Sequence, residues 1–150
     1  MVAEIRPPTQ EDIDFLAPRL RQADLDELLA SGVGSAQEAL RRGLAGSRMC
    51  RTVSMGGEVV GMFGVTPGLL SSEVWALVSS AVEKQPVAFT KISRKLASML
   101  LEHHPLLTNY VDARHAQSIR WLRALGAELG YPQPRGPLGL PFHRFEISRR

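Results

Sequence analysis

Apolar positions along the chain switch between a period of two and a period of three to four, and the switches divide it into elements. Phe89, Ile92, Leu96 and Leu100 share one side of a helix that runs to about His103, with Lys91, Arg94 and Lys95 on the other side. Ala116–Leu125 has the same helical spacing and is closed by Gly126; it follows Leu106–Val111, an apolar run that predicts a buried strand. Met49–Met55 and Glu58–Val65 are rich in strand-forming residues. Gly56-Gly57 between them suits the positive φ angles of a tight hairpin turn. Glu73–Ser79 reads as a further, central strand, and Phe142–Ser148 alternates as the last one.

The ends of these elements carry their own signals. Val2–Ile5 is a first short strand stopped by Pro7-Pro8, and Thr9 is an N-cap with Glu11 and Asp12 behind it, where acids suit the positive end of a helix. Ile13, Leu16 and Leu20, then Leu25, Leu28 and Leu29, continue at helical spacing, with Pro18 interrupting that helix or opening a second. Ser35 and Glu38 form a capping box for a short helix through Leu44 that ends near Gly46. The Asp24–Glu27 acids and Arg41–Arg42 are either the solvated faces of these helices or the lining of a groove. Ala81–Thr90 is a loop in which Pro86 holds off the next helix, and the Pro- and Gly-rich segment 130–141 is a loop with a rigid bend.

The order mixes an antiparallel meander with a crossover helix, so the fold class is α/β (α+β), and 150 residues make one domain with one core. Net charge is +3 with a sequence pI near 9.5. That excess is scattered over Arg41–Arg42, Lys84–Lys95 and Arg149–Arg150, too sparse for a nucleic-acid surface. The single cysteine, Cys50, excludes an internal disulfide and a Cys cluster, and reads as a half-buried small hydrophobe. His103 and His104 end a helix. Neighbours there point about 100° apart, so they do not converge on a metal, and no metal is expected. The chain shows no apolar signal core and no membrane-length apolar run, which places it in a reducing cytoplasm.

Ile5-Arg6-Pro7 with Thr9-Gln10-Glu11-Asp12-Ile13, the hairpin words Glu58-Val59-Val60-Gly61, and His115-x-x-Ser118-Ile119-x-x-Leu122-x-x-Leu125-Gly126 together resemble the GCN5-related N-acetyltransferase (GNAT) superfamily. The resemblance spans nearly the whole chain and implies a mixed central sheet of about six to seven strands flanked by helices. It also implies acetyl-CoA, whose pyrophosphate such enzymes hold on backbone amides between the fourth strand and its helix. Here that segment is residues 82–91. It has no glycine, Pro86 removes a donor, and Glu83 opposes a phosphate. Val82, Lys84, Ala88, Phe89, Thr90, Lys91 and Arg94 are the cofactor-binding candidates the resemblance leaves. The family's usual Asn is His115, its usual Tyr is Leu122, and the aromatic after Leu-Gly is Ala127. Glu73 and His115 remain as candidate bases.

Those departures, with the words Asp24-x-x-Glu27-x-x-Ala30-Ser31-Gly32, also resemble the internal-virion-protein family of short-tailed bacteriophages. That resemblance implies a GNAT-fold assembly protein without acetyl transfer. Such a chain has no cofactor, a protein partner in a phage particle, a place in host cytoplasm or virion, and a homo-oligomer as a further option. Leu69–Leu70 and the 131–141 loop are then the surfaces for a partner. The alternative is a divergent acetyl-CoA-dependent N-acetyltransferase acting on a small or protein amine.

Overall fold

A computed structural model describes residues 2–68 and 71–149 of the chain. Eight strands and five helices follow in order: β1 Ala3–Arg6, α1 Gln10–Leu16, α2 Gln22–Ala30, α3 Ala36–Gly46, β2 Met49–Met55, β3 Glu58–Pro67, β4 Ser72–Val78, α4 Pro86–His103, β5 Leu106–Asp112, α5 Ala116–Ala124, β6 Glu128–Leu129, β7 Gln133–Arg135 and β8 Leu140–Ser148. The strands form one sheet in the order β1-β2-β3-β4-β5-β8-β6, with β7 also paired to β8. Every pairing is antiparallel except β4 with β5, which the crossover through α4 makes parallel.

Strand residues alternate between two helical layers. Cys50 and Met62 face α1 and α3 and pack with Ile13, Leu16 and Leu40. Val53, Phe63, Leu107 and Val111 face α4 and α5 and pack with Phe89, Leu96, Leu100 and Leu122. Cys50 is buried as a small hydrophobe, and burial pushes its thiol up to about 11, so it is not a nucleophile at neutral pH.

The sequence signals at the N-terminus act together. The Thr9 hydroxyl accepts from the Asp12 amide, and the Asp12 carboxylate accepts from the Thr9 amide. That buried carboxylate also takes both arms of Arg6 at 2.8 and 2.7 Å and the Thr52 hydroxyl at 2.9 Å, pinning α1 to β1 and β2. Burial pushes the Asp12 carboxyl up, yet the bonds from Arg6, Thr52 and Thr9 outweigh it and hold the group below its usual range.

The hairpin turn is as the sequence expects, with Gly56 at φ 60° and Gly57 at φ 82°. Gly64 and Gly43 have a different task, because the Trp75 indole lies flat between β3 and α3. A Cβ at Gly64 would sit 2.5 Å from Trp75 Nε1, and one at Gly43 would sit 2.6 Å from its ring. Gly64→Ala is therefore expected to lower unfolding stability by about 1–3 kcal/mol, as overpacked sites do, in a urea titration. An unchanged midpoint would mean the indole swings aside freely.

Several expectations are corrected. Pro86 does not delay the helix but starts it, since the first helical position needs no N–H and favours proline's fixed φ. The segment before it, Ser80–Lys84, is a 3-10 turn and not open loop. Within the bend read from 130–141, β7 pairs with β8, and β6 adds a short edge strand, so the sheet has eight strands. Ser35 caps α3 by accepting from the Glu38 amide, but the Glu38 carboxylate turns to Arg42 at 2.9 Å. Leu69–Leu70 lies outside the described residues.

Candidate active site

The parallel pairing of β4 and β5 covers only Ser72 with Leu107 and Glu73 with Thr108, after which the two strands diverge. A strand that leaves its neighbour exposes a row of backbone donors and acceptors, and these need partners. Because the Ser79 amide donates to Val60 on β3, the alternate residues Val74, Ala76 and Val78 turn their N–H and C=O groups toward the gap. The Val74 carbonyl accepts from the Asn109 side chain at 2.7 Å. The Val78 amide donates to Asp24 Oδ2 at 2.8 Å, and its carbonyl accepts from the Arg21 amide at 2.9 Å. Ala76, between them, has no partner on that side among the described residues. A cavity of about 360 Å³ opens at this point, walled by Trp75, Ala76 and Leu77 of β4, by Asn109 and Tyr110 of β5, and by α2 and α3 above.

Helix α2 closes the wide end of the gap. Asp24 and Glu27 are three residues apart and share one helical face, so one carboxylate reaches β4 and the other reaches β5. Asp24 is 3% exposed and pairs with buried Arg21 at 2.7 Å, and Arg21 also donates to Ser118 of α5 at 3.2 Å. Glu27 Oε1 accepts from the Asp112 amide at 2.9 Å. Of the two sequence readings for these acids, the groove is the one realised, and the solvated face is corrected: two diverging strand ends require acceptors that only α2 supplies. Arg42 of α3 also lines the cavity.

Glu27 is the chemically distinctive group. Burial pushes its carboxyl up to about 7, the Asp112 amide pulls the other way, and the nearby Asp24 and Asp112 carboxylates add to the rise. A carboxylate of that kind takes and releases a proton near neutral pH. Asp112 behaves oppositely. Burial pushes it up, but the bonds from the Arg114 side chain and amide hold it below its usual range. His115 Nε2 sits 3.5 Å from Asp112 and 3.7 Å from Asp26, buried and without a hydrogen-bond partner.

The sequence candidates scatter. Glu73 is exposed on the stretch where β4 and β5 still pair, and it does not line the cavity. His115 caps the start of α5 beside Asp112 and is likewise outside the lining. Val82 is buried, and its amide donates to Ser79 at 3.2 Å. Phe89 is a core residue stacked on Trp121 at 5.4 Å, with its amide donating to Gln85 at 3.0 Å. Thr90 is half-buried one position further along α4. Ala88 shares the first turn of α4 with Val87; their amides precede the helix's first backbone bond and have no partner among the described residues. Lys84 and Lys91 are exposed on either side of that turn. Arg94 is two turns on, donating to the Ala124 carbonyl at 3.2 Å, and faces a separate depression beside Gly126. The loop candidates therefore divide into amides already used, amides without a partner among the described residues flanked by two lysines, and one arginine that faces the depression beside Gly126.

Residues the sequence reading missed as site members are Tyr110 and Arg135, whose guanidinium lies 3.5 Å over the Tyr110 ring. Neither sits in a motif, since side chains of β5 and β7 meet here only through the sheet order. His104 finds a protein partner, Ser72 Oγ, at 2.8 Å, and the described residues hold no group of three potential ligands for a metal ion. Among the described residues no helix is long and apolar enough to cross a membrane.

This is the fold of the GCN5-related N-acetyltransferases. No family model matches the sequence, and neither does any curated protein. Solved structures do. An acetyltransferase of the GNAT family from Bacillus anthracis superposes with a TM-score of 0.74 at 12% identity, covering 97% of this chain and 94% of that one. The ribosomal-protein-S18-alanine N-acetyltransferase from Escherichia coli gives 0.70 at 12% identity, covering 98% and 94%. The aminoglycoside acetyltransferase AAC(6')-Ib, in complex with ribostamycin and coenzyme A, gives 0.74 at 15% identity, covering 99% and 94%. At these identities the likeness establishes the fold. The virion-assembly expectation has no counterpart among these three structures.

Proposed function

We propose that the chain is a divergent N-acetyltransferase that moves an acetyl group from acetyl-CoA to an amine in the gap between β4 and β5. The observation that carries this reading is the unpartnered Ala76 edge opening into a cavity beside Glu27. An extended arm bearing amides can add to such an edge as a strand does, with one donor and one acceptor waiting at Ala76. The Val87 and Ala88 amides at the start of α4, with Lys84 and Lys91 nearby, suit a diphosphate, and the missing glycines leave fewer amides than a full nest. Both parts of the fit stand on this chain's own geometry.

Bound acetyl-CoA would supply a thioester carbonyl, to which an uncharged amine adds while the C–N bond forms and the C–S bond breaks. The proton the amine then loses passes to the departing sulfur, so that CoA leaves as the free thiol. The chain's task is to deliver that amine. Glu27 takes the proton from the incoming ammonium, and its raised affinity for a proton suits it to do so near neutral pH. The Asp112 amide holds the carboxylate in place, and Trp75 and Leu77 keep the cavity wall apolar. Fold likeness alone does not settle an activity, so the reading rests on the site.

The test is release of free thiol from acetyl-CoA in the presence of a panel of primary amines. Turnover that depends on both components supports the reading, and none across the panel overturns it. The double variant Lys84→Ala/Lys91→Ala is expected to raise KM for acetyl-CoA by about a hundredfold, from losing two charge-assisted phosphate contacts of about 1.5 kcal/mol each, with kcat little changed. An unmoved KM would show that the phosphates lie elsewhere.

A further inference from the structure

Two cations, Arg135 and Arg42, line the same cavity as Glu27. Arg135 is on β7, stacked on Tyr110, and Tyr110 is two residues before Asp112, whose amide holds Glu27. The loop bearing Arg135 is fixed on the helix bearing Glu27. Gly136, at φ 77°, approaches α2 so closely that a Cβ there would meet the Ala30 carbonyl at 2.2 Å, and Pro137 packs on Gly32. Arg42 enters the same cavity from α3 and shares its charge with Glu38. Arg135 has no ion-pair partner among the described residues.

From this placement we infer that the acceptor is a small primary amine carrying a carboxylate, of the amino-acid type, with its carboxylate on Arg135 and its amine toward Glu27. The inference deepens the acetyltransferase reading and rests on it. A guanidinium offers a planar pair of donors that matches a carboxylate, and a free one at a cavity mouth recognises that group better than it recognises any neutral acceptor. Arg135, the one of the two that no carboxylate pairs with among the described residues, also disfavours a second positive charge at the acceptor's carboxylate position. Tyr110 holds the Arg135 plane in position, so little rotamer freedom is lost on binding.

The experiment compares amino acids with their carboxamides and with a polyamine, using thiol release and, separately, calorimetry of the free chain with N-acetyl amino acids and N-acetyl carboxamides. The carboxylates are expected to give at least tenfold higher kcat/KM than the carboxamides. N-acetyl amino acids should bind the free chain where their carboxamides do not. Arg135→Gln should lower turnover of the carboxylates far more than that of the carboxamides, erasing both preferences, and Arg135→Lys should restore part of them. Equal or better turnover of carboxamides or polyamines, transfer to none of these acceptors, or equal losses on all of them in Arg135→Gln, overturns the inference. A chain that binds acetyl-CoA in calorimetry and acetylates carboxamides equally well keeps the acetyltransferase reading and loses only this one. A chain that binds no acetyl-CoA loses both.

Discussion

Glu27→Gln is expected to cut acetyl transfer by about a hundredfold or more, the usual contribution of a positioned general base, and to raise folding stability above pH 7. Both effects have one origin. The Glu27 carboxyl ionises at about 7 in the folded chain against an ordinary value of 4.5. Its proton is therefore held more tightly folded than unfolded. The associated stability is full below about pH 4.5 and is lost as pH rises through about 7, a change of about 3 kcal/mol at most. Glutamine keeps an acceptor for the Asp112 amide and never ionises, so the variant's urea midpoint should exceed the parent's at pH 8 and approach it at pH 5. The parent's kcat/KM should climb with pH through about 7. A variant that keeps its turnover, or that tracks the parent's stability at both pH values, would remove Glu27 from the chemistry. A purely structural carboxylate would not combine lost rate with gained stability.

Asp24→Ala is expected to lower stability by about 3–5 kcal/mol, the cost of leaving a buried charge without its partner. Arg21 is 7% exposed and would keep its charge with only the Ser118 hydroxyl beside it, while the Val78 amide would lose its acceptor. The loss should appear as a lower urea midpoint, with the slope unchanged if the rest of the fold stays intact. Asp24→Asn keeps an acceptor for Val78 and should lose less. A loss under about 1 kcal/mol in Asp24→Ala would mean that α2 does not anchor the wide end of the gap.

The two acids show how far a single sequence can be read. Elements bounded by local chemistry were legible: Thr9 as a cap, Gly56-Gly57 as a turn, and the face Phe89, Ile92, Leu96, Leu100 of α4. Each depends on residues within a few positions, which is the range over which propensity and capping act. The fold class followed from their order. Asp24 and Glu27 read first as a solvated face and only second as a groove, because the strand amides they satisfy, at Val78 and Asp112, are 54 and 85 positions away. Pro86 reads either way from sequence, since proline breaks a helix interior and favours its first position with the same ring. Glu73 and His115 stand out by chain position relative to a family pattern, whereas Tyr110 and Arg135 meet only through the order in which β5, β7 and β8 assemble. The spacing of Asp24, Glu27 and Ala30 describes a helix face, and here that face serves the sheet edge.

The backbone amide of Ala76 offers the most direct measurement. In a titration of the isotopically labelled chain with acetyl-CoA followed by amide NMR, the Ala76 signal should shift saturably, together with Val87 and Ala88 and with smaller changes at Glu27. No saturable change at Ala76 at millimolar acetyl-CoA, or shifts confined to surface lysines, would mean that the gap between β4 and β5 does not receive the acyl donor.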